Sequence, residues 1–154
     1  MVQKRNSGRK DICTSDMKVI SKSVSDTIKI GEKLAGKLRP GDVVALTGDL
    51  GAGKTVLTKG IAKGLGVKNV RYVNSPTFVV IKEYKGKLPL YHFDLYRIDK
   101  TNVIDAENYE EYFYGDGVSV VEWAEKIRGL IPARHIEVKL SVIDENTRKI
   151  EIKR

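Results

Sequence analysis

The spacing of apolar residues changes several times along the chain, and each change marks an element. Met17-Lys18-Val19-Ile20-Ser21 predicts a first, edge strand. Ser23-Val24-Ser25-Asp26 carries the Ser-x-x-Asp start signal of a helix, and Ile28, Leu34, Ala35 and Leu38 give that helix one apolar face. Arg39-Pro40-Gly41 ends it. Asp42 to Thr47 is a short apolar, β-branched run, the pattern of a buried strand. From Thr55 to Leu65 the spacing is helical again, with Val56, Ile61 and Leu65 in phase and Gly64 and Gly66 where a helix stops.

The second half alternates more quickly. Val70-Arg71-Tyr72-Val73 reads as a short strand or a loop. Phe78 to Tyr84 and Leu88 to Tyr96 read as strands joined at Lys85-Gly86-Lys87, a β-hairpin. Thr101 to Tyr114 mixes acids with Tyr109, Tyr112 and Phe113 and predicts one or two short helices, broken at Gly115-Asp116-Gly117. Val118 to Trp123 is a buried-strand pattern that ends in a carboxylate. Ala124 to Leu130 predicts a short helix stopped by Pro132. His135 to Ile143 and Arg148 to Lys153 form a closing hairpin around Asp144-Glu145-Asn146-Thr147. Helices interleaved with buried strands and hairpins predict an α/β fold with a mixed sheet.

Between the buried strand and the second helix lies Gly48-Asp49-Leu50-Gly51-Ala52-Gly53-Lys54-Thr55. Gly, four residues, Gly, Lys and Ser or Thr is the pattern of a phosphate-binding loop. Its glycines allow backbone angles that turn successive N–H groups toward phosphates. Lys54 brings a compact positive charge to the β- and γ-phosphates, and the Thr55 hydroxyl is placed to ligate Mg2+. The following helix adds the positive end of its dipole. Both context tests for this motif, a preceding strand and a following helix, are met.

Such a loop works with a carboxylate at the end of a second apolar strand, which holds Mg2+ directly or through water. Asp94 and Glu122 both fit, and sequence does not choose between them. His92 shares a strand face with Asp94, so it is expected to be structural, with orientation of that acid as a role open to it. Arg97 is expected to pair with Asp94 and Asp99 rather than with phosphate. Trp123 fits core packing or a wall shielding the site, with contact to nucleotide as the alternative. Ser75-Pro76-Thr77-Phe78 is either a hydroxyl-bearing switch near the γ-phosphate or a simple turn.

The 154 residues are enough for one domain with a real core. No apolar run approaches a membrane span, and the first residues do not resemble a secretory signal. Cys13 is the single cysteine, so no internal disulfide can form and a cytoplasmic protein is expected. The net charge of +8 is partly local, with Lys4, Arg5, Arg9, Lys10, Lys18 and Lys22 set against Asp11 and Asp16. Residues 1–16 are polar, basic and without periodicity, and read as a flexible extension, with Met17 as an alternative start. A basic balance suits nucleotides or RNA. With no aromatic-basic RNA signature, the excess reads as a solvated tail plus surface lysines. Residues 17–154 read as a single nucleotide-binding domain.

Four motifs then converge in order and spacing: the loop at 48–55, Ser75-Pro76-Thr77-Phe78, His92-Phe93-Asp94-Leu95-Tyr96-Arg97 and Glu122-Trp123. Together they resemble the TsaE (YjeE) family, the bacterial ATPases of tRNA threonylcarbamoyladenosine biosynthesis, from about residue 18 to the C-terminus. The resemblance implies a three-layer P-loop NTPase fold with a mixed, mainly parallel sheet and antiparallel hairpins. It implies MgATP as ligand, slow intrinsic hydrolysis by attack of water on the γ-phosphate, and TsaD and TsaB as partners. Contact with tRNA would be indirect, through that complex, and neither DNA nor a membrane is implied. By resemblance, Thr55, Asp94 and Glu122 are the Mg2+ and catalytic positions, and Lys54 and Thr77 act on the γ-phosphate. Asp49, Leu50, Gly51, Ala52, Gly53, Lys54, Thr55, Val56 and Trp123 line the nucleotide, with Thr27 near the base. Val56 stands where the family commonly has a second Thr. Two other readings stay open: a nucleotide-gated binding module that needs no hydrolysis, and a small-molecule kinase.

Overall fold

The computed structural model describes residues 16–74, 81–96 and 106–154. Residues 1–15 of the expected extension, Ser75 to Phe78 with Thr77, Arg97 and Asp99, and the start of the Thr101 to Tyr114 stretch lie outside the described residues. Seven strands form one sheet: β1 (Met17–Ser21), β2 (Val43–Thr47), β3 (Ile81–Tyr84), β4 (Leu90–Asp94), β5 (Val118–Glu122), β6 (Ile136–Val142) and β7 (Arg148–Lys153). Their spatial order is β1-β7-β6-β2-β5-β4-β3. The centre, β6-β2-β5-β4, is parallel. Antiparallel pairs complete both flanks, β3 on β4 at one edge and β6-β7-β1 at the other. The predicted mixed sheet, edge strand and both hairpins are present.

Side-chain alternation splits the core into two layers. Leu46, Val120, Val138 and Ile150 pack under α1 (Val24–Ala35) and α2 (Lys54–Gly64) with Leu34, Leu57 and Ile61. Val43, Ala45, Phe93 and Val121 face the other way, against Phe113 of α3 (Ala106–Phe113) and Ala124 and Ile127 of the next segment. The result is the three-layer α/β arrangement. Strands β2 and β5, covered on both faces, are apolar at nearly every position, as parallel central strands must be.

Local signals fixed most boundaries. Ser23 caps α1 by accepting from the Asp26 amide at 3.0 Å. The return bond of the capping box goes one residue further out, with the Lys22 amide donating to Asp26 Oδ2 at 3.0 Å. α1 ends at Ala35, before the predicted Leu38, which nevertheless stays buried. At residues 70–73 the loop reading holds over the strand, and the segment after β5 differs in kind from expectation. Val70–Tyr72 is a 3₁₀ turn entered through Asn69 at φ 56°, so the β-branched residues there mark a tight connection and not a strand. Ala124–Leu130 is also 3₁₀, interrupted at Ile127 by φ −128°, ψ 34°. Apolar spacing over seven residues does not separate these geometries from an α-helix.

α1 and α2 approach closely through glycine. A Cβ on Gly60 would lie 2.3 Å from the Ile28 carbonyl oxygen and 3.0 Å from Gly31 Cα, all rigid backbone. Gly60→Ala is therefore expected to destabilise the fold. Overpacking costs about 1–3 kcal/mol, and the helix propensity of Ala returns at most about 1. A net loss of about 1–2 kcal/mol corresponds to a fall in Tm of roughly 2–8 °C. An unchanged denaturation midpoint would contradict this helix spacing. Among the described residues, no helix is long and apolar enough to cross a membrane.

Candidate functional site

The phosphate-loop sequence sits at the carboxyl end of β2, the place where open α/β sheets bind ligands. Gly48 takes φ 149° and a Cβ there would lie 2.6 Å from the Leu140 carbonyl oxygen on β6, so a side chain is excluded by backbone contact. Gly53 caps α2 at φ 102°, a conformation that frees the first helical amides to point out of the loop. Ala52 is buried and donates to the Asp49 carbonyl at 3.0 Å. Leu50, at the tip, is 71% exposed. Arg148 at the start of β7 reaches across to the Gly51 carbonyl at 3.4 Å and ties the outer hairpin to the loop.

Lys54 opens α2 and is only 5% exposed. Its ammonium donates to the carbonyls of Gly48 and Asp49 and lies 4.1 Å from the centre of the Trp123 ring. Burial pushes its pKa down, and the charges of Glu122, Glu125, Asp94 and Asp49 push back. A compact cation is thus held over the loop in a partly desolvated, acid-rimmed setting, where its field on a phosphate is strong.

The strand-end carboxylates divide. Glu122 ends β5, which neighbours β2, and its side chain is on the α2 face with Val118 and Val120. It is 2% exposed. Thr55 Oγ1 donates to it, with Oε1 at 3.1 Å and Oε2 at 3.2 Å. His92 Nε2 lies 2.8 Å from Oε1. Thr58 Oγ1 lies 3.3 Å from Oε1 and 2.8 Å from the Lys54 carbonyl, and its one proton can go to either. A buried carboxylate is tolerated only with such donors. Asp94 sits one strand further out, in register with Glu122, and its Oδ1 accepts from the Tyr96 amide at 3.0 Å. His92 is structural, as expected, but the acid it orients is Glu122 and not Asp94. The two acids share one sheet face, but the ring leans across to the neighbouring strand.

Trp123 follows Glu122 at φ 61°, a left-handed conformation unusual for a large side chain and a sign of local constraint. Its ring packs against the second core layer, tilted by 43° on Tyr96 at 5.2 Å, with Lys126 at 5.9 Å. Val56 is half-buried on the same helix as Thr55. Thr27 is buried on α1, its hydroxyl 2.7 Å from that of Ser21, and is not drawn into the Lys54–Thr55–Glu122 cluster. Sequence reasoning missed Thr58 and Glu125. Thr58 was findable, since three residues after Thr55 on a helix is the same face. Glu125 acts on Lys54 only because the turn at Trp123 brings it round.

The profile of the family described as threonylcarbamoyl adenosine biosynthesis protein TsaE matches residues 21–150. A tRNA threonylcarbamoyladenosine biosynthesis protein TsaE from Bacillus subtilis is 45% identical over 126 residues, 81% of this chain and 77% of the relative. The Treponema pallidum protein of the same description is 37% identical over 88% of this chain and 99% of its own length. The crystal structure of YdiB from Bacillus subtilis superposes with a TM-score of 0.76 at 37% identity, covering 90% of this chain and 84% of that one. The loop, its lysine and hydroxyl, and the carboxylate they meet thus sit on a fold and sequence shared over most of the chain: it belongs to the TsaE family.

Proposed function

We propose that the protein binds MgATP at the 48–55 loop and hydrolyses it, in the cytoplasm, to reset the TsaB–TsaD pair that transfers the threonylcarbamoyl group to tRNA. The observation that carries this reading is the contact of Thr55 Oγ1 with Glu122 at 3.1 Å, beside the buried ammonium of Lys54. A hydroxyl and a carboxylate at a phosphate loop are hard oxygen donors, the set that suits Mg2+. Thr55 and Glu122 would hold the cation, with Asp94 beside them. Bound Mg2+ supplies charge neutralisation on the phosphate oxygens.

Every other part falls to the chain itself. Loop amides and Lys54 bind the β- and γ-phosphates. Glu122 or Asp94 orients the attacking water, and phosphoryl transfer needs no strong general base. Thr77 would reach the γ-phosphate as a switch residue. Trp123 shields one side of the site from solvent, which strengthens the charges inside it. Slow turnover alone suits a switch whose work is done on partners, and family membership supports a role in tRNA threonylcarbamoyladenosine formation. The tRNA would then be met through TsaB–TsaD.

The test is ATP turnover by the purified protein with and without TsaB–TsaD. Turnover is expected to be slow alone and at least about tenfold faster with the pair, the scale of a coupling free energy of roughly 1.4 kcal/mol. Equal rates in the two conditions would refute the partnered reading.

A further inference from the structure

His92 is fully buried on β4, yet among the described residues only one of its two ring nitrogens has a partner. Nε2 meets Glu122 Oε1 at 2.8 Å, while Nδ1 is buried with none. An ionised carboxylate only accepts, so Nε2 is the donor. A buried nitrogen without a partner carries a desolvation cost. An apolar residue of the same size would avoid that cost at this position. The neighbours Leu90, Val118 and Val120 are all apolar, so packing alone does not call for an imidazole.

We infer that His92 is a positioning residue: its Nε2–H fixes the Glu122 carboxylate against Thr55, so that the pair is set for Mg2+. The inference rests on the nucleotide-site reading given above. The geometry explains why the ring, and not the shorter or the purely apolar alternatives, stands here. Thr58 is a weaker substitute, because its single hydroxyl proton is shared between the Lys54 carbonyl at 2.8 Å and Glu122 Oε1 at 3.3 Å. The Thr55 hydroxyl keeps its O–H when a lone pair is offered to a cation, so it would remain one donor to Glu122. His92 is the second donor, fully buried and at 2.8 Å the shortest contact to Glu122 among the described residues. This is how outer-shell donors tune a metal site, and their loss typically costs 10–100-fold in metal affinity or activity.

The chemistry gives a selective test. Glutamine places its amide nitrogen three bonds from Cβ, as His places Nε2. Asparagine places its nitrogen at the Nδ1 distance, and leucine fills space with no donor. Trp123 is the only tryptophan in the chain and lies against Lys54, so its emission reports nucleotide without any turnover. ADP is bound first in EDTA, and Mg2+ is then titrated while Trp123 emission is followed. His92→Leu is expected to raise the Mg2+ concentration at half-saturation about 10–100-fold. ADP affinity in EDTA should stay within about threefold, because His92 does not touch the loop. His92→Gln is expected to recover Mg2+ binding to within about threefold of the wild type, and His92→Asn is not. Equal Mg2+ affinity in wild type and His92→Leu would overturn the inference, and so would equal loss in the Leu, Asn and Gln variants, which would mark a packing role. Failure of the wild type to bind ADP at all would overturn the nucleotide-site reading and this inference with it.

Discussion

Lys54→Ala is expected to abolish most ATP turnover, by about 10²–10³-fold, while leaving the protein folded. The magnitude follows from where the charge sits. Loss of one preorganised group facing developing charge in a water-poor site costs that much in rate. Lys54 is nearly buried, shielded by Trp123 and rimmed by Glu122, Glu125, Asp94 and Asp49. Among the described residues its ammonium donates only to the carbonyls of Gly48 and Asp49. Burial already disfavours its charged form, so the lysine is held at some expense to stability and its removal should not lower Tm appreciably. Steady-state phosphate release and a thermal melt on the same sample check both halves. Lys54→Arg should not rescue, because a planar fork does not replace a point charge in so tight a site. A variant that is inactive because it is unfolded would show in the melt.

The second large effect is expected at Glu122→Gln. The substitution keeps the shape and one acceptor oxygen but removes the charge. His92 Nε2–H and the Thr55 hydroxyl both converge on this carboxylate, so the amide must present its oxygen to one and its NH2 to the other. Turnover should fall about 10²–10³-fold, with ADP affinity in EDTA within a few-fold of the wild type. Glu122→Leu should go further and weaken the fold by about 1–3 kcal/mol, since it strands buried donors. Modification of tRNA by Glu122→Gln at the wild-type rate would point instead to a nucleotide-gated module in which binding does the work.

What could be read from the sequence depended on how local its cause is. The phosphate loop was complete in eight consecutive residues, because glycine, lysine and threonine do their work on neighbouring backbone. Ser23, the β3–β4 hairpin and the buried run at β2 were legible for the same reason. The choice between Asp94 and Glu122 was not. Both end apolar strands, and only the lateral order, with β5 next to β2 and β4 one place out, puts Glu122 on Thr55. His92 was placed on the right face but on the wrong acid, since a face is fixed by alternation within a strand and a partner by pairing between strands. The 3₁₀ segments and the left-handed turn at Trp123 arise from packing against the sheet and leave no spacing signature of their own.

The central claim is that Lys54, Thr55 and Glu122 form one Mg2+-dependent ATP-hydrolysing site. The most direct measurement is single-turnover hydrolysis of ATP by the wild type with Mg2+ and with EDTA, beside Lys54→Ala. Phosphate release is expected to require Mg2+ and to be lost in the variant. Release that persists in EDTA, or at the same rate in Lys54→Ala, would contradict it.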